Sequence, residues 1–326
     1  MTEGLDSVEV VSPVARLQGA ATGDRIFRTL LTLAALAIPT LLGFLVYELW
    51  KGSQPAIGKF GFDFLATSTW DPVADKFGAL PLIFGTLLSS LIALVIAVPL
   101  SIGVAIFLTE FAPGPIRRPV AFVVELLAAI PSVVYGLWGI FFLIPLLRTT
   151  LFPFLQNTLG FLPLFSGTIY GNSMLAAGII LAIMIMPYIM SVTREVLATV
   201  PGSQREAALA LGATRWEAAW TAVVPYARSG IVGAIILGLG RALGETMAVT
   251  MLIGNRHEIA TSLFAPGYTM AAAIANEFTE ASTDMHFAAL AYVALVLFAV
   301  TVVVNALARL LIWKVSKGRA SGGAAL

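Results

Sequence analysis

Six long apolar runs, separated by polar or Pro/Gly-rich stretches, set the pattern of this chain. The first follows Arg25 and Arg28 and continues to about Leu49; the second covers 81–109 around Pro99. The third covers about 119–147 and contains Glu125 and Pro131; the fourth covers 173–197 around Pro187. The fifth covers 225–254 and the sixth about 286–313. Each exceeds the ~20 residues that carry a helix across ~30 Å of hydrocarbon. The pattern predicts an all-α integral membrane protein with a tail at 1–25, six transmembrane helices within 26–314, and a tail at 315–326. A cleaved signal peptide would need a run of only about 7–15 residues ending at small residues. This first run is longer and closes on Tyr47-Glu48-Leu49-Trp50-Lys51, so an uncleaved span is expected.

The stretches between the runs differ in kind. Residues 50–80 and 255–285 are polar and read as outer loops. Residues 148–172 are apolar yet rich in Pro, Gly and Phe, which suits an interfacial or re-entrant segment. Irregular backbone facing lipid would leave its polar groups unsatisfied.

Composition narrows the class. Hydrophobic residues make up 59% of the 326 and charged residues 11%, with a mean hydropathy of +0.93. Soluble domains carry about 25% charged residues, so a soluble protein is excluded. The absence of cysteine removes disulfides, thiolate metal sites and cysteine nucleophiles. The two histidines, His257 and His286, are too few and too far apart in sequence for a metal cluster. Without a G-x-x-x-x-G-K-[ST] the chain does not bind ATP as a P-loop protein does. No nucleic-acid partner is expected.

Orientation follows from the basic residues. Thirteen of the 19 Lys and Arg fall in the tails, at the adjoining ends of the first and sixth runs (Arg28, Arg309, Lys314) and in the segments at 110–118 and 194–228, five fall on the opposite side, and Arg241 lies within the fifth run. Both termini and the 198–224 loop are therefore expected in the cytoplasm.

That loop holds more than a connection. Ser203 stands three residues before Glu206, the spacing of a capping box. Ala207, Ala208, Ala210, Leu211 and Ala213 give strong helix propensity with an apolar face. After Gly212, a second short helix is expected to carry Trp216 and Trp220. Such a face should bind a partner protein, or else lie on the membrane with its tryptophans among the headgroups.

In the fifth run, Arg241 is expected halfway along a continuous helix, with Glu245 one turn on and sharing its face. An unpaired charge at that depth costs at least ~2.5–3.5 kcal/mol. The pair is either a self-neutralising salt bridge or an anion site on a water-filled path. Gly240 and Gly244 have the spacing of a helix-packing face. Glu125 is expected to form a structural pairing.

Glu206-Ala207-Ala208-x-x-x-Gly212, with Val224-Pro225 downstream, resembles the EAA loop of permease subunits in bacterial ABC importers, although Ala222 and Val224 stand where the family has bulkier apolar residues. Gly238-Leu239-Gly240-Arg241-Ala242-Leu243-Gly244-Glu245-Thr246-Met247 and Ala128-Ala129-Ile130-Pro131-Ser132-Val133-Val134-Tyr135-Gly136 are similar to segments of the phosphate-specific (PstC-type) branch. The resemblance covers roughly 75–315 and implies a type I importer bundle that carries phosphate. It implies a path lined by Arg241, Glu245 and Thr246, and a coupling helix at 203–222 in which Glu206, Ala207, Ala208, Gly212 and Pro225 serve the ATPase. It further implies a second permease (PstA-type), an ATPase dimer (PstB-type) that binds ATP-Mg, and an extracytoplasmic phosphate-binding protein (PstS-type). The rivals are a permease for sulfate, molybdate or phosphonate, an ion-coupled transporter, for which an inverted repeat would be expected, and a scaffold with no path.

Overall fold

The computed structural model describes residues 13–320, with side chains described for 23–310. The outermost parts of both expected tails lie outside the described residues, as do the side chains of Arg16, Lys314, Lys317 and Arg319. Among the described residues the regular structure is helical, and the only β pairing is two isolated bridges, Asp71–Lys76 and Gly254–Gly267.

The first helix, α1 (Pro13–Phe60), carries the first span at Gly23–Phe60. As far as Lys51 the chain is a unit of its own. Its apolar side chains, among them Ile26, Leu33, Ile38, Phe44 and Trp50, are exposed. This is how a lipid-facing helix differs from a core helix.

From Gly52 the chain forms a second unit. The one-turn α2 (Asp63–Ala66) precedes α3 (Leu80–Ile106), which runs through Pro99 without interruption into a π-helical turn at 107–111. Next come α4 (Gly114–Ala129) and α5 (Ser132–Trp138), separated by extended backbone at Ile130–Pro131. A π turn at 139–143 leads to α6 (Ile144–Thr149) and α7 (Leu151–Leu159). Pro131 thus ends one helix and starts another, as a residue without an N–H does. The third span is Ser132–Leu159, about 12 residues later than the sequence pattern placed it. The outcome for 148–172 is mixed. Residues 151–159 complete that span and bury Phe152, while 160–173 are irregular.

The central helix is α8 (Met174–Ala198), capped by the Ser173 side chain and again continuous through its proline, Pro187. Of its most apolar window 67% is buried, far more than in any other span, and α3, α4, α5 and the later helices Val224–Leu243 and Met247–Ile253 pack against it. It contacts α3 along its length, and α4 lies against it. Helices α3 and α8 bury many small residues, Ser89, Ala93, Ala97 and Ser101 on α3 and Ala177, Gly178 and Ala182 on α8, and Gly178 sits against Ile92. Without water to drive association, membrane helices gain from this closeness through dispersion and hydrogen bonds. Ser101 Oγ donates across the seam to the Met186 carbonyl at 3.1 Å.

Beyond α8 lie α9 (Gly202–Ala210), α10 (Arg215–Ala218), a π turn at 219–223, α11 (Val224–Leu243) and α12 (Met247–Ile253). The chain closes with α13 (Met270–Glu277) and α14 (Asp284–Ala320). The expected capping box at Ser203 does not form, since Pro201 is the N-cap of α9. A capping box forms instead at Thr214 and Glu217, at the start of α10. Among the described residues six helices are long and apolar enough to cross a membrane.

Candidate functional site

The fifth run is not one helix. It ends at Leu243 with Gly244 as C-cap, leaves helical geometry over Gly244–Thr246, and resumes as α12 until the left-handed Gly254. Three glycines, 238, 240 and 244, weaken the helix here by up to ~1 kcal/mol each. Arg241 therefore sits near the end of α11, not halfway along a span, and Glu245 lies in the break rather than one helical turn on. The two form no ion pair. The self-neutralising salt bridge is not formed. Thr246, half-exposed, donates from its hydroxyl to the Gly244 carbonyl at 3.2 Å and so stabilises the break.

Arg241 is held by an aromatic side chain instead. Its guanidinium carbon lies 4.2 Å from the centroid of the Tyr188 ring on α8, a cation–π arrangement. Its Nε is buried and has no hydrogen-bond partner among the described residues. The Tyr188 hydroxyl donates to the Ala128 carbonyl at 2.9 Å, and the Tyr135 hydroxyl to the Leu127 carbonyl at 2.8 Å. Both carbonyls belong to the last turn of α4, where the Pro131 break removes their helical donors. Two interrupted helices therefore meet at one place. Irregular backbone at such depth is tolerated only where it is covered by protein or lines a cavity. Gly244 is exposed and Glu245 half-exposed, so this break has an open side. A cation with uncommitted N–H groups, beside a carboxylate and a hydroxyl, can bind an oxyanion and accept from its proton.

The expected glycine packing face falls elsewhere. A Cβ on Gly240 would meet nothing within 4 Å, and one on Gly244 would meet only the Gly240 carbonyl. Gly238 and Gly230 are the close ones, against Ile189 and Val196 of α8.

At the end of the bundle that carries α9, no residue of that helix is buried. Glu206 and Ala207 are exposed and Ala208 half-buried; Gly212, with φ +87°, turns the chain into α10. Leu211 is 90% exposed. Trp216 packs on Phe111 and Trp220 while remaining largely exposed, and Pro225 is the second residue of α11. Beside its contacts with α10 and the π turn at 219–223, α9 is tied to the bundle by an ion pair. Arg205 meets Glu110 at 2.8 Å and donates also to the Val200 and Leu197 carbonyls at the end of α8. The bonds to Glu110 raise the Arg205 pKa further. No sequence signal marked this pair, whose members are 95 positions apart. Glu125 pairs with Arg194 at 2.9 Å, the structural pairing expected of it.

At the opposite end both histidines converge on one carboxylate. Glu277 Oε2 accepts from Trp70 Nε1 at 2.7 Å and lies 3.1 Å from His286 Nε2, while Oε1 lies 3.2 Å from His257 Nε2. Burial raises the Glu277 pKa, but His257, Trp70 and His286 outweigh it and hold the carboxyl below the usual range. They border an open pocket of about 570 Å³. Among the described residues no group of three or more His or carboxylate side chains could hold a metal.

Six membrane-length helices, a broken helix carrying a cation, and an exposed helical loop define a multi-pass membrane permease. The chain belongs to the family of binding-protein-dependent transport system inner membrane components, which matches residues 97–317. It is 48% identical over 305 residues to the phosphate transport system permease protein PstC of Mesorhizobium japonicum, covering 92% of this chain and 93% of that one. To the protein of the same name from Xylella fastidiosa it is 46% identical over 322 residues, covering 97% and 99%. A probable PstC of Methanocaldococcus jannaschii is 38% identical over 283 residues, covering 85% and 90%.

Proposed function

We propose that this chain is the transmembrane permease subunit of an ATP-driven inorganic phosphate importer and forms half of its translocation path. It is not itself an enzyme; a separate ATPase hydrolyses ATP. The observation that carries the path is the guanidinium of Arg241, held on a tyrosine face at a helix break with its N–H groups uncommitted. Phosphate near neutral pH is an anion that still carries a proton. Arg241 matches its oxygens, and Glu245 accepts its O–H, which sulfate does not have. Because Glu245 is not spent on Arg241, both are available to the ion at once. Thr246 adds a hydroxyl.

The 203–222 loop seats in the ATPase dimer through Glu206, Ala207, Ala208 and Gly212, with Pro225 starting the helix that carries the motion to Arg241. A second permease completes the path, and an external phosphate-binding protein meets the end that holds Trp70 and Glu277. This arrangement puts both termini in the cytoplasm, in keeping with the basic residues.

The test is ATP-driven uptake of radiolabelled phosphate by liposomes holding the co-purified complex, with Arg241→Gln against the parent. Uptake is expected to fall at least tenfold while the subunits still co-purify, and competition by sulfate and molybdate to be weak. Parental uptake by Arg241→Gln would remove Arg241 from the path.

A further inference from the structure

We infer that Tyr188 is the positioning residue of Arg241, fixing the guanidinium by its ring face so that the N–H edges remain free for an oxyanion; this rests on the reading of Arg241 as part of the path. A cation in an apolar bundle needs compensation. A carboxylate would give it, but would occupy the same N–H groups that must bind the transported anion. A ring face compensates the charge from one side only and leaves the planar edge uncovered.

The geometry meets each requirement. The guanidinium carbon stands 4.2 Å from the Tyr188 centroid, and neither a hydrogen bond nor an ion pair to Arg241 competes with this contact among the described residues. The ring is itself fixed, because its hydroxyl donates to the Ala128 carbonyl at 2.9 Å. That acceptor is available because α4 stops at the Ile130–Pro131 break. Tyr135 takes the neighbouring carbonyl, Leu127, whose normal donor would have been the N–H that Pro131 lacks. Register is set one residue along α8. A Cβ on Gly238 would come within 2.6 Å of Ile189, so only glycine lets α11 approach closely enough to lay Arg241 on Tyr188.

The test replaces Tyr188 with phenylalanine and then with mono-, di- and trifluorinated phenylalanine. The shape changes little along this series while the negative face of the ring is progressively withdrawn. In the reconstituted complex, phosphate uptake is expected to fall stepwise, by about tenfold across the series, with subunit assembly and basal ATP hydrolysis unchanged. Tyr188→Phe alone, which loses the anchor to Ala128 but keeps the ring, should cost a few-fold. A purely packing role predicts a flat series, and a flat series overturns the inference. The Arg241→Gln control separates the two claims. If it abolishes uptake while the series is flat, only the role of Tyr188 fails; if it transports like the parent, the path reading fails and takes this inference with it.

Discussion

Arg205→Ala removes five hydrogen bonds from one spot: three to the Glu110 carboxylate, at 2.8, 3.0 and 3.2 Å, and two to the Leu197 and Val200 carbonyls, at 3.0 and 2.6 Å. The Glu110 side chain is only 11% exposed, so the substitution leaves a nearly buried charge without its partner. Breaking a buried pair in this way costs about 3–5 kcal/mol. Arg205 is itself 25% exposed, which lets water reach the site and favours the lower end, about 3 kcal/mol. At 1.4 kcal/mol per tenfold, that shifts the balance between attached and released α9 by more than about 100-fold. Because α9 buries no residue of its own, little else opposes its release, and the effect stays local. The expected result is faster amide hydrogen exchange over 202–210 together with ATP hydrolysis that no longer drives proportionate phosphate uptake. Replacing both partners, Arg205→Met with Glu110→Gln, should cost less than the sum of the single changes, because no charge is then stranded. Unchanged exchange and an unchanged ratio of ATP to phosphate, or strictly additive costs, would refute the reasoning.

Gly238→Ala should lower the melting temperature of the purified chain, since its methyl must displace Ile189 at an overpacking cost of about 1–3 kcal/mol. Gly240→Ala, two residues on and on the nearly opposite, open side of the helix, should be neutral or gain up to ~1 kcal/mol. The Glu277 carboxyl has its folded pKa depressed, so its contribution is present above the ordinary carboxylate value of about 4.3 and is lost as pH falls through the lower folded value. Exchange protection around 270–277 should therefore decline on acidification below that value, and Glu277→Gln should remove this part of the pH dependence. Leu211→Asp should abolish co-purification of the ATPase without altering the fold, because the side chain is 90% exposed and touches little within the chain; retained co-purification would place the docking surface elsewhere.

The spans were legible because hydropathy sums over 20 or more residues, and one misplaced proline does not erase the signal. Prolines were harder to weigh. Pro99 and Pro187 lie inside continuous helices, while Pro131 divides one, and the local sequence does not distinguish them. The difference is tertiary: the carbonyls freed at Pro131 find hydroxyls on Tyr135 and Tyr188, from separate elements. Arg241 and Glu245 stood out in the sequence, since a charge in an apolar run is conspicuous, while Thr246 entered through the resemblance alone. Their geometry was not legible, because a run of apolar residues with glycines is compatible with one helix or two. The tyrosines were invisible for the opposite reason, since aromatic residues in a membrane span usually only pack. The Arg205–Glu110 tie and the convergence of Trp70, His257 and His286 on Glu277 depend on contacts between distant positions, for which neither periodicity nor composition holds a trace.

These separate contacts share one element. Leu197, which accepts from Arg205, and Tyr188, which carries Arg241, are nine residues apart on α8, about 13.5 Å along the helix axis. Arg194 lies between them and pairs with Glu125 of α4, the helix whose last carbonyls anchor the two tyrosines. A displacement applied to α9 therefore reaches α8 at its end, and α8 delivers it to the ring beneath the guanidinium. Along the same length α4 is held to α8 at two points, Glu125 and Ala128, so the Pro131 break moves with it. Among the described residues the hydrogen bonds at the Gly244–Thr246 break are local, from the Glu245 N–H to the Ala242 carbonyl and from the Thr246 hydroxyl to the Gly244 carbonyl, while α12 beyond it is tied to the start of α8 by the Ser173 N–H, which donates to the Leu252 carbonyl at 2.9 Å. On the proposed path Arg241 is carried by α8 through Tyr188 while Glu245 lies in the break, so a change in their separation is the expected route by which the two groups that would share a phosphate release it. Opening that distance weakens the hold on the ion while leaving the rest of the bundle packed, which is what release requires of a site that must also capture.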